Sequence, residues 1–61
     1  MAHDRRINPA DIAIGDIITS DPRRDYTVAD LDVHDFGDVT IYSDDGQKVF
    51  VRADQTVAVR R

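Results

Sequence analysis

The chain has 61 residues, no cysteine and a formal net charge of −4 at pH 7. That length holds one small domain, which buries only about 60% of the surface its unfolded chain exposes. A disulfide framework and a cysteine-based zinc site are excluded, and the acidic balance argues against a general polyanion binder.

All twelve acidic residues are aspartate, and seven of the eight basic residues are arginine. Aspartate favours turns and caps over helix interiors, so short strands joined by tight turns are expected. The longest apolar run is too short for a membrane helix, and the charged start of the chain has no signal-like apolar stretch. A cytoplasmic setting is the expectation.

Residues 1–7, MAHDRRI, offer little to bury and read as a flexible N-terminal tail, with residues 8–61 forming the domain. His3 in that tail reads as solvent-exposed. Asn8 before Pro9 gives the pattern of a cap and first turn, so one short helical turn is expected there. IAIGDIITS then supplies a first strand over about residues 16–20, and SDPRRD is a polar loop.

The next strand, YTVADLDVH, changes parity. Tyr26 and Val28 lie on even positions, but Leu31 and Val33 lie on odd ones, so a straight strand cannot bury both pairs. A bulge near Ala29 and Asp30 resolves the conflict, as in a small barrel where one strand serves two sheets.

DVTIYSDDGQKVFVR is the most constrained segment. Asp44, Asp45 and Gly46 form a three-residue hairpin loop with Gly46 left-handed. That register pairs Val39 with Val51 and Ile41 with Val49 on one face. On the other, Asp38 meets Arg52, Thr40 meets Phe50, and Tyr42 meets Lys48. HDFGD is a five-residue loop closed by Gly37, setting Val33 opposite Val39 and Leu31 opposite Ile41. A tight turn at residues 53–55, taken as one turn of 3-10 helix, leads into a last strand with Val57 and Val59 inward.

Five strands in this order, with IGDII, YTVADLDV, VTIYSDDGQKVFV and ADQTVAV as their carriers, resemble the Src-homology-3-like small β-barrel over residues 12–60. The resemblance implies an all-β, five-stranded barrel with a short helical turn before its first strand and a 3-10 turn before its fifth. It extends to the architecture and to no particular family within it. An architecture of this kind hosts many functions, so function must come from a site.

Asp30, Asp32 and His34 share a strand face with metal-ligand character. The same alternation describes the solvated face of any half-buried strand, and the spacing lacks the sixth-position glycine and distal glutamate of a calcium loop. The solvated-face reading is preferred, and no metal or cofactor is expected. Ser20 and Ser43 sit in turns without a neighbouring base, so no catalytic residue is assigned and an enzyme is not expected.

The candidate binding face is Tyr42, Phe50, Lys48, Arg52 and Thr40, where two aromatics are flanked by two cations; the alternative is that Tyr42 and Phe50 only cover their own barrel, with Lys48 laid over Tyr42. A second candidate is a basic patch of Arg23, Arg24, Arg60 and Arg61, joined by Arg5 and Arg6 if the termini and first loop converge. Acidic neighbours at Asp4, Asp21 and Asp25 favour scattered ion pairs instead. The expectation is a non-enzymatic protein-interaction module that binds a protein partner or a second copy of itself, as a phage-borne or accessory regulatory protein. The alternative is a nucleic-acid-binding accessory protein using the same cations and aromatics.

Overall fold

The computed structural model describes residues 4–60. Its framework follows from the alternation of valines and isoleucines with polar residues. Val39, Ile41, Val51, Val57 and Val59 are all buried, with polar or half-exposed residues between them. Six strands result: β1 (Asp4–Ile7), β2 (Ile17–Ile18), β3 (Tyr26–Val33), β4 (Val39–Ser43), β5 (Lys48–Val51) and β6 (Val57–Arg60). They form one open antiparallel sheet in the order β1-β6-β2-β3-β4-β5, with β1 and β5 at its free edges. The described residues contain no α-helix.

The strand count differs from the expected five. The additional strand is β1, inside the stretch read as a tail, where Arg5 and Arg6 pair with Val59 and Ala58 of β6. Its three leading polar residues hide the strand in the sequence, because pairing with β6 uses backbone groups and buries little side chain. Met1, Ala2, His3 and Arg61 lie outside the described residues.

Asn8 precedes a 3-10 turn over Pro9–Asp11, but its side chain makes no capping bond. The chain then folds back on itself around Asp16, a buried residue whose carboxylate accepts the Ala13 N–H at 2.9 Å. The first expected strand shrinks to the two residues Ile17 and Ile18, held between β3 and β6.

β3 does change face where the parity of its apolar residues changes. The register with β4 shifts between Val28 and Asp30, so Tyr26 and Val28 are buried before the bulge, while Leu31 packs half-buried after it. β3 pairs with β2 through Tyr26 and Thr27 and with β4 through its remaining length. Val33 keeps its expected partner, Val39, yet remains 66% exposed while Val39 is fully buried.

The β4–β5 register is as the turn chemistry requires: Val39 with Val51, Thr40 with Phe50, Ile41 with Val49, and Tyr42 with Lys48. Gly46 takes φ +90° and donates its N–H to the Ser43 carbonyl at 3.1 Å. The expected Asp38–Arg52 pair is replaced. Asp38 accepts the Ala53 N–H at 2.8 Å, and Arg52 lies 3.7 Å from Asp54. Before β6 there is a single turn, closed by the Gln55 N–H on the Arg52 carbonyl at 3.0 Å, in place of the expected 3-10 turn. A 3-10 turn forms instead over Asp35–Gly37.

Candidate functional site

The bulge in β3 decides which side chains share the outer face. Because it reverses the strand after Val28, Asp30 stands opposite Tyr42 and Asp32 opposite Thr40. The β4–β5 hairpin then adds Lys48 beside Tyr42 and Phe50 beside Thr40. Two features that look separate in the sequence, the Asp-x-Asp-x-His strand and the aromatic-cationic hairpin, therefore lie on one surface.

Contacts across this face are specific. His34 Nε2 and Thr40 Oγ1 share a hydrogen bond at 2.7 Å. The His34 and Phe50 rings stand 6.0 Å apart at 42°. Lys48 Nζ lies over the Tyr42 ring, 5.8 Å from its centroid, in a cation–π arrangement. Phe50 remains 57% exposed despite its ring contact. Arg52 continues the line of β5 past its last residue, with its side chain exposed.

Asp30, Asp32 and His34 are all exposed, and Asp30 accepts the Leu31 N–H at 2.8 Å. Among the described residues no three histidine or carboxylate side chains come close enough together to hold a metal ion. Ser43 Oγ is engaged in its turn: it bonds to the Asp45 carboxylate and accepts the Gln47 N–H at 3.0 Å.

Of the arginines of the second candidate, Arg23, Arg24 and Arg60 each meet a carboxylate. Arg23 pairs with Asp21 at 3.1 Å, Arg24 with Asp45, and Arg60 with both Asp4 and Asp25, at 3.4 and 3.6 Å. The Arg60–Asp25 contact does bring the end of β6 against the β2–β3 connection. Arg6 is turned elsewhere, donating to the Thr56 carbonyl and hydroxyl at 3.4 and 3.2 Å. The Arg23 guanidinium and backbone N–H hold the Asp21 carboxyl below its ordinary range.

Two features were not legible in the sequence. A groove of about 410 Å³ opens under β5, between Val49, Phe50 and Val51 on one side and the β2–β3 connection with Val57 on the other. Tyr26 lines it, and burial pushes the pKa of that phenol up. A smaller hollow of about 280 Å³ continues from it past Tyr26 and Val49 toward Asp45 and Gln47. The groove joins residues distant in the chain, so no local pattern announces it. The other feature is Phe36, left-handed at φ 69° and 95% exposed at the tip of the β3–β4 loop. An aromatic placed between Asp35 and Gly37 in a turn was its only signal.

Comparison of the chain with protein-family models, curated proteins and solved structures finds no match. The fold and the surface therefore define the class: a small all-β domain with an ordered, partly apolar sheet face open to solvent. No helix among the described residues is long and apolar enough to cross a membrane.

Proposed function

We propose that this chain is a non-enzymatic interaction module of the Src-homology-3-like small-barrel class, which binds a protein through the outer face of β3, β4 and β5. The barrel reading is supported by β3, which pairs with β2 on one side of its bulge and mainly with β4 beyond it. The binding reading is carried by Phe50. A large aromatic more than half exposed in the middle of a regular strand gains little for the fold, yet its backbone is fixed by pairing and its ring by His34. Pre-ordered aromatics beside cations are what interface anchors require.

Nucleic acid is the competing partner, because Phe50 and Tyr42 could stack on bases while Lys48 and Arg52 meet phosphates. The ion pairs at Arg23, Arg24 and Arg60 count against it, since each withdraws a cation from phosphate binding. A ¹⁵N–¹H correlation spectrum recorded with short DNA and RNA, at low and moderate salt, tests the choice. No salt-sensitive shift at Lys48, Phe50 and Arg52 is expected. Salt-sensitive shifts confined to those residues would replace the protein partner by nucleic acid.

For the protein reading itself, wild-type and Phe50→Ala chains serve as paired baits. A partner held by the first and released by the second is the expected result. Equal retention of everything by both baits would overturn the assignment of this face.

A further inference from the structure

The charges of the outer face are sorted by strand. β3 contributes Asp30 and Asp32; β5 contributes Lys48, with Arg52 just past its end. β4 runs between them and presents Thr40 and Tyr42. All four charged side chains are exposed, and Thr40 and Tyr42 are half-buried. One edge of the face therefore carries Asp30 and Asp32, the other Lys48 and Arg52, the latter 3.7 Å from Asp54, and Thr40 and Tyr42 between them are uncharged.

With the strands of the two sheets aligned, such a face can be laid on a second copy of itself by a two-fold axis in one of two directions. Sheets stack about 10 Å apart, close enough for facing side chains to interdigitate. An axis running across the strands places β3 over β3, setting carboxylates against carboxylates. An axis running along β4 places β3 of each copy over β5 of the other. By the strand register Asp30 then faces Lys48 and Asp32 lies at the level of Phe50, between Lys48 and Arg52, twice over by symmetry, and Tyr42 meets its own counterpart near the axis. Juxtaposed like charges penalise the first arrangement, and opposed ones favour the second. The net charge of −4 repels two copies at long range, so it is this local sorting that must supply the attraction.

We propose that the occupant of this face is a second copy of the chain, docked about a two-fold axis along β4 with the acidic β3 column against the basic β5 column. This rests on the reading of the face as a protein-binding surface and names its partner.

Sedimentation equilibrium across a wide concentration range tests it with three chains: wild type, Asp30→Lys/Asp32→Lys, and Lys48→Asp/Arg52→Asp. The wild type is expected to dimerise, and each double variant to dimerise at least about tenfold more weakly. An equimolar mixture of the two variants is expected to recover a dimer containing one of each, because their faces then carry opposite charge throughout. All four positions are exposed, and a dispersed correlation spectrum confirms that each variant is folded. Should one lose that dispersion, Asp30→Lys and Lys48→Asp alone make the same comparison.

A wild-type chain monomeric at every concentration overturns the proposal, as does a dimer indifferent to both variants. Either result leaves binding of a different protein to be read from the Phe50→Ala bait, so the two failures are distinct.

Discussion

The rings of His34 and Phe50 stand 6.0 Å apart, tilted by 42°, across a face on which Thr40 holds the imidazole through a 2.7 Å hydrogen bond. His34 directly follows the last residue of β3 and Phe50 lies within β5, with β4 between them. The contact exists only because the bulge in β3 has already turned His34 to the outer side.

That relationship fixes what Phe50 contributes to stability. Its ring touches His34 but leaves more than half its surface in water. Phe50→Ala is expected to cost no more than about 1 kcal/mol in thermal or denaturant unfolding. A loss of about 3 kcal/mol or more would be that of a core aromatic, and would show that the ring supports the fold rather than a partner.

Gly37 and Gly46 share a left-handed backbone but differ in their surroundings. A Cβ at Gly46 would meet nothing within 4 Å, so the cost of substitution there is conformational only. Gly46→Val is expected to destabilise by about 1–2 kcal/mol. At Gly37 a Cβ would also lie 3.2 Å from the Ala53 Cβ, so the β3–β4 loop and the turn before β6 must separate to admit it. Gly37→Ala is accordingly expected to lower the melting temperature further than Gly46→Ala does. The reverse order would place the tight contact elsewhere.

Thr19 carries a hydroxyl that is buried without a hydrogen-bond partner, although its backbone N–H bonds the Ala58 carbonyl at 2.8 Å. Thr19→Val keeps the shape, leaves the backbone bond intact and removes the stranded polar atom. A gain of about 1 kcal/mol is expected, equivalent to roughly 4–8 °C in a domain of this size. A loss on chemical denaturation would mean that the hydroxyl is satisfied in solution.

Asp21 should report its ion pair directly. The side-chain bond from Arg23, followed by the Arg23 backbone N–H, favours its carboxylate and lowers its pKa. A carboxyl lowered in the fold contributes fully above its ordinary value, and that contribution fades as pH falls through the lowered one. In Arg23→Ala the carboxyl resonance of Asp21 is expected to titrate at higher pH than in the wild type. It should still fall short of the ordinary value, because the backbone donor remains. An unmoved midpoint would remove Arg23 as the cause.

Much of the hairpin geometry was readable because it is local. Asp44, Asp45 and Gly46 set a turn, the turn set the register, and the register fixed which of residues 39–51 share a face. The parity change between Val28 and Leu31 announced the bulge for the same reason, since a pleated strand cannot bury both. β1 escaped because DRRI carries no alternating apolar pattern and is held by backbone bonds to β6. Phe36 escaped because a turn context suggests conformation and says nothing of exposure.

The sequence alone therefore determined the all-β class, the β4–β5 register, the reversal within β3 and the inward Val39, Val51, Val57 and Val59, all consequences of a side-chain period of two and of turn stereochemistry. Only the tertiary structure decided that the His34 ring meets Thr40 and Phe50, that the arginines of the β2–β3 connection and β6 meet carboxylates, and that a groove opens under β5. Those relations join residues far apart in the chain. They depend on how the sheet curls around one small core, which no local pattern encodes.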